Sequence, residues 1–212
     1  MIDPAFPSPS QPAAAPPAAL PRPRLRGRSL LREASEVILL VVAVLTLVNL
    51  ATARFIVEGE SMLPSFDTGQ FILVNRLNYL YRAPQRGEVV VFGSPEQNGE
   101  DLIKRIIGLP GETVTIQDQQ VFIDGRLLDE PYIYAAPRYS GSWTLGPDEY
   151  FVLGDNRNNS RDSHIFGPLD REAIVGQAWL IYWPLPDWRV IQHESDLGQS
   201  LLPTTVTPPL AP

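Results

Sequence analysis

A chain of 212 residues, 44% of them hydrophobic and 19% charged, has room for one medium domain with additional segments. It contains no cysteine, which excludes a disulfide framework, thiolate catalysis and a zinc–thiolate site, and its net charge of −7 argues against wholesale binding to nucleic-acid phosphate. The charge is unevenly placed: residues 1–36 hold five arginines against Asp3, Glu33 and Glu36, a net of +2, which leaves −9 for the remainder. Of seventeen basic residues sixteen are arginine, and Lys104 is the single lysine. Arginine keeps its proton near neutral pH, whereas a buried lysine can give it up.

Residues 1–21 are rich in Pro and Ala and almost empty of large apolar side chains, so a disordered N-terminus is expected. Residues 22–36 form a basic flank carrying Arg22, Arg24, Arg26, Arg28 and Arg32. The run from Val37 to Ala53 is uncharged throughout. As a helix its seventeen residues span roughly 26 Å, close to the ~30 Å hydrocarbon core of a bilayer. A soluble core helix would show a polar stripe, and only Thr46, Asn49 and Thr52 interrupt this run. Ala51-Thr52-Ala53 has the small residues of a cleavage site, but the apolar stretch exceeds the usual signal-peptide core of about 7–15 residues. An uncleaved transmembrane anchor at 37–53 is the reading preferred, and the preceding arginines place its N-terminal side in the cytoplasm.

Residues 54–192 read as β-rich. Phe71 to Val74 and Glu88 to Phe92 are short apolar runs bounded by turn residues. Glu112 to Gln117 and Gln120 to Ile123 alternate on either side of Asp118-Gln119, and Asp124-Gly125 is a hairpin turn signal. Tyr150 to Leu153 and Ile174 to Trp183 supply further strands. From residue 193 the chain becomes polar, then rich in Pro and Thr, and a flexible tail over 193–212 is expected, with His193 exposed at its edge.

Three stretches of this region can carry chemistry. The first is Glu58-Gly59-Glu60-Ser61-Met62-Leu63-Pro64, where a serine stands between a permissive glycine and a proline, a local recipe for presenting one hydroxyl on a bend. A serine hydroxyl is a weak nucleophile without a base in hydrogen-bond reach. The second is Asp101 to Gly108. In a strand, Leu102, Lys104 and Ile106 share one face, so the amine would lie among apolar neighbours, and burial would lower its pKa. A neutral amine is a competent general base. The third is the polar loop from Gly154 to His164, whose Ser160 or Ser163 could orient a catalytic group. His164 leaves a Ser–His–Asp triad open as an alternative, and a membrane-tethered β-domain that binds peptides without cutting them is a second.

Taken in order, the anchor, Glu60 to Pro64, Asp67 to Arg76, Arg86 to Phe92, Ile103 to Glu112 and Gly154 to Ser163 resemble the type I signal peptidases, over about residues 35–183. The resemblance implies a mainly β fold, an antiparallel sheet or barrel-like catalytic domain behind a single N-terminal transmembrane helix. It implies a membrane-bound serine endopeptidase that cuts signal peptides from exported preproteins after small residues at −3 and −1. Its partners would be signal-peptide-bearing preproteins and the lipid bilayer, with no nucleic acid, no metal, no cofactor and no obligate oligomer. By the same resemblance Ser61 is the nucleophile and Lys104 the general base. Ser160 would orient the lysine, Asp155 and Arg105 would form a supporting ion pair, and Asp162 would brace the site. Phe55, Val57, Met62, Phe66, Leu102 and Ile103 would line apolar substrate pockets. A self-cleaving repressor with a Ser–Lys dyad is a further relative, but it would need a helix-turn-helix where this chain has an apolar span. The chain departs from the family pattern in two places. Gly59 stands where some members carry a serine whose hydroxyl completes the oxyanion hole, and His164 stands where an arginine is frequent.

Overall fold

The computed structural model describes residues 27–96, 99–193 and 201–202. The expected disorder of 1–21, the start of the basic flank and most of the expected tail lie outside the described residues. The apolar run belongs to α1, Gly27–Ala51, and the stretch long and apolar enough to cross a membrane is Leu30–Ala51, 22 residues and about 33 Å as a helix. It starts earlier than the uncharged run because Arg32 and Glu36 pair one turn apart, 2.9 Å, and let the helix continue through its polar turn. It also ends earlier. Thr52 and Ala53 leave the helix for a strand, paired with Asn75 and Val74, so Ala51-Thr52-Ala53 straddles a helix-to-strand junction instead of forming an open extended site. The division into two compact units falls within α1, after Ala43.

Beyond the helix the backbone satisfies its hydrogen bonds in short antiparallel strands. They are β1 (Thr52–Ile56), β2 (Phe71–Asn75), β3 (Val89–Gly93), β4 (Asp101–Gly108), β5 (Thr113–Gln117), β6 (Gln120–Ile123) and β7 (Arg126–Leu128). Then come β8 (Gly141–Thr144), β9 (Glu149–Leu153), β10 (Leu169–Asp170), β11 (Ile174–Trp183), β12 (Arg189–Val190) and β13 (Leu201–Leu202). Single helical turns, α2 (Asn78–Tyr81) and α3 (Ser163–Phe166), interrupt them. One sheet runs β1-β2-β11-β3-β4-β9-β10 with β12 beside β11; the other runs β13-β7-β6-β5-β8. The residues Leu201–Leu202 of the expected tail therefore pair with β7. His193 is half-buried and not exposed: its Nδ1 accepts from the Val89 N–H at 3.3 Å, and burial lowers its pKa.

The hydrophobic pattern explains the layers. In β3, Val89 and Val91 pack with Ile72 and Ile181 on one face, while Val90 and Phe92 pack with Ile106, Tyr150 and Val152 on the other. A strand buried on both faces reads as an unbroken apolar run. In β5 and β6 only Val114, Ile116, Val121 and Ile123 enter a core, so those strands alternate. Asp118 and Gln119 (φ 49° and 64°) and then Asp124 and Gly125 (φ 49° and 77°) make the two tight turns of this meander.

Two details of the first sheet position the site. Strand β1 occupies its edge. Strand β4 pairs with β3 over Asp101 to Arg105, but its pairing with β9 starts only at Arg105, so Asp101 to Lys104 have an open side.

Candidate active site

Ser61 opens a run of turns, Ser61 to Ser65, entered through Gly59 at φ +80°. That region costs a side-chain-bearing residue steric strain and glycine none. Lys104 lies in mid-β4 on the face of Leu102 and Ile106, as the alternation requires. Its side chain is 3% exposed, and its Nζ stands 2.8 Å from Ser61 Oγ and 2.8 Å from the Ile103 carbonyl. Burial lowers the Lys104 pKa to about 8 from its ordinary 10.5, against the pull of Asp162 and Asp155, whose charges favour the ammonium.

The polar loop after β9 locks this pair in place. Asp155, fully buried, accepts from Arg105 Nε at 2.8 Å and Nη2 at 2.7 Å, and from Ser65 Oγ at 2.5 Å. Because Arg105 follows Lys104 directly, this forked ion pair ties the loop to the lysine's own strand. The Arg105 guanidinium also lies over the Tyr132 ring, 4.2 Å from its centroid. One residue further on, the Asn156 N–H donates to the Ser61 carbonyl at 2.9 Å, and Asn156 Nδ2 donates to the Glu60 carbonyl at 3.1 Å. Asn156 thus holds the Ser61 backbone against the loop that Asp155 ties to the strand of Lys104. Arg157 completes the brace, bonding both oxygens of Glu130 and, through Nε, the Gly154 carbonyl at 3.0 Å.

Asp162 accepts from the Gly154 N–H at 2.9 Å and caps α3. Its other oxygen meets His164 Nδ1 at 2.6 Å, and the imidazole is stacked on Tyr139 with 3.8 Å between centroids. The histidine in the arginine position therefore partners the aspartate. Ser61 Oγ, however, has Lys104 as its partner and not His164. Ser160 departs from its expected place: its hydroxyl is buried and makes no hydrogen bond among the described residues, to Lys104 or otherwise. It is packed instead against Gly154, where an added Cβ would come within 2.3 Å of Ser160 Oγ and 2.5 Å of the Ser61 carbonyl oxygen.

Ser61 and Lys104 face a cleft of about 810 Å³ whose walls include Phe55, Val57, Leu102 and Ile103. Met62 and Phe66 do not line it. They are 1% and 2% exposed and pack in the core with Val89 and Ile181, because the turns after Ser61 send them inward. Sequence reasoning missed Asn156, Ser65 and the Arg157–Glu130 brace. Asn156 and Arg157 had a local signal, their place in the polar loop from Gly154 to His164; Ser65 and Glu130 had none.

A family model for signal peptidases, peptidase S26, matches residues 30–183. The chain belongs to this family. It is 41% identical over 155 residues to a probable signal peptidase I-2 of Synechocystis sp., covering 70% of each chain. It is 38% identical over 190 residues to a signal peptidase I of Leptolyngbya laminosa, covering 84% of this chain and 91% of that one. It is 32% identical over 177 residues to signal peptidase I S of Bacillus subtilis, covering 76% and 94%. The chain is accordingly a peptidase, and the reading of its β-domain as a binding module without hydrolytic activity is set aside.

The Arg105–Asp155 pair gives a prediction independent of activity. Asp155→Ala leaves a buried guanidinium without its counter-charge, and breaking a buried pair from one side costs about 3–5 kcal/mol. Chemical denaturation of the variant should show that loss; a midpoint equal to wild type would mean the pair does not lock the loop.

Proposed function

We propose that this peptidase removes N-terminal signal peptides from exported preproteins by a Ser61–Lys104 dyad. The observation that carries the reading is a buried amine of lowered pKa in hydrogen-bond contact with a hydroxyl that faces the cleft. At 2.8 Å the same contact serves both protonation states: the ammonium donates to Ser61 Oγ, and the neutral amine accepts from it.

The substrate segment is extended and adds as a strand between the edge of β1 and the open side of β4, both of which border the cleft. Neutral Lys104 takes the Ser61 proton while Oγ bonds to the scissile carbonyl carbon and the carbonyl electron pair moves onto oxygen. The ammonium returns that proton to the leaving nitrogen as the C–N bond breaks. Water then repeats the sequence on the ester, giving up one proton to Lys104, which passes it to Ser61 Oγ. Phe55, Val57, Leu102 and Ile103 present apolar walls near the dyad and suit small side chains at −1 and −3. The helix Leu30–Ala51 anchors the chain in a bilayer, with the arginine-rich flank on the cytoplasmic side and residues from Arg54 onward on the other; no obligate oligomer is needed.

The test is cleavage of a preprotein ending its signal in Ala-x-Ala by the detergent-solubilised full chain. N-terminal sequencing should give a product that begins immediately after the second alanine. Replacing the −1 alanine by a bulky residue should abolish that product. Cutting at scattered positions, or indifference to the −1 side chain, would refute the assignment.

A further inference from the structure

The oxyanion formed in this reaction needs preorganised donors, and Gly59, two residues before the nucleophile, brings no side chain to supply one. The backbone around it is held from outside. Thr68 Oγ1 donates to the Gly59 carbonyl at 2.6 Å. Asn156 Nδ2 and the Leu63 N–H donate to the Glu60 carbonyl at 3.1 and 3.2 Å. In a trans peptide the N–H points opposite to the C=O. Pinning the Gly59 carbonyl therefore fixes the Glu60 N–H away from Thr68, and pinning the Glu60 carbonyl fixes the Ser61 N–H away from Asn156. Neither N–H donates to any acceptor among the described residues, and Gly59, Glu60 and Ser61 all border the cleft. Consecutive unpaired N–H groups after a residue of positive φ form a concavity that binds negative charge.

We infer that Thr68 is a positioning residue for the oxyanion: its hydroxyl orients the Gly59–Glu60 peptide so that the Glu60 N–H joins the Ser61 N–H as the second donor. The positive φ of Gly59 belongs to the same device, because that backbone turn is one a serine would adopt only under strain. Thr68 itself touches no substrate in this scheme. It is exposed, nine residues from the carbonyl it holds, so the hydroxyl can be removed without disturbing a core.

This inference rests on the dyad reading, and the experiment separates the two. Full-chain wild type, Lys104→Ala, Thr68→Val and Thr68→Ser are compared for kcat and KM on one preprotein in detergent. The hydroxyl acts through a single surface hydrogen bond, so Thr68→Val should lose roughly threefold to tenfold in kcat with KM unchanged, while Thr68→Ser should stay near wild type. Wild-type kcat in Thr68→Val overturns the inference. So does a change confined to KM, or an equal loss in Thr68→Ser, which would assign the effect to packing of the methyl group. Undiminished cleavage by Lys104→Ala overturns the dyad reading, and this inference falls with it.

Discussion

Replacing Lys104 by alanine should lower preprotein cleavage by about 10⁴-fold, and replacing it by arginine should do the same, because a guanidinium keeps its proton at any pH the assay can reach. The wild-type pH profile follows from the same amine. With a pKa of about 8, half of the lysine side chains are neutral at pH 8, whereas an undisturbed lysine would supply about one in three hundred. The rate at limiting substrate should therefore rise tenfold per pH unit below about 8 and level off above it. Stability moves oppositely to activity in one variant. Below pH 8 the folded chain carries a buried ammonium that the unfolded chain would hold in water, so the depressed pKa costs stability as pH falls from the unfolded lysine value toward 8. Lys104→Met removes that cost with a side chain of similar length, and it should melt at a higher temperature at pH 7 while being inactive. A flat profile between pH 6 and 9, or an active arginine variant, would exclude Lys104 as the base. His164→Ala separates the rival triad from the dyad. Its imidazole bonds Asp162 and stacks on Tyr139, so its loss should leave activity within about tenfold of wild type, whereas a triad base would leave none.

Much of this arrangement was legible in the sequence because its causes are local. A serine between a glycine and a proline, and alternating side chains broken by Asp-Gly, encode backbone geometry within a few residues. The same holds for β3, whose unbroken valines follow from burial on both faces. The end of the helix was misplaced because Thr52 and Ala53 are uncharged like the run before them, and only pairing with β2 makes them a strand. Met62 and Phe66 failed for a related reason. An apolar residue beside a nucleophile can face substrate or core, and the turns after Ser61 decide between them. The loop's internal wiring was invisible altogether. Asn156 acts on Ser61 from 95 positions away, and Ser65 on Asp155 from 90, so no window of sequence contains either contact. His193 lay in a segment of tail-like composition, yet the Val89 N–H on β3 holds its ring.

Gly154→Ala tests the tightest point of that wiring, and it should lower cleavage by about a hundredfold or more. A Cβ at this position would stand 2.5 Å from the Ser61 carbonyl oxygen and 2.3 Å from Ser160 Oγ. The Ser160 hydroxyl can rotate aside, but its Cβ at 2.7 Å cannot, and the Ser61 carbonyl belongs to the backbone and can yield only by moving Ser61 or the loop. Either movement strains the Asn156 N–H bond to that carbonyl, at 2.9 Å, and the contact between Ser61 Oγ and Lys104 Nζ, at 2.8 Å. A misplacement of about 1 Å at a reacting atom costs on the order of 10²-fold in rate. The Arg105–Asp155 and Arg157–Glu130 pairs on either side keep the chain folded, but Arg157 Nε and Asp162 hold the Gly154 backbone itself, so moving the loop costs stability as well. Gly111→Ala, between β4 and β5 and outside the cleft, is the matched control. Its Cβ meets nothing within 4 Å, so only the strain of φ +81° remains, about 1–2 kcal/mol. The expected signature is a Gly154→Ala chain that is folded at the assay temperature, melts lower than wild type and cleaves a hundredfold or more slower, beside a modestly destabilised Gly111→Ala that still cuts. Equal activity in the two would mean that contact between the loop and the Ser61 carbonyl does not hold Ser61 Oγ in register with Lys104 Nζ.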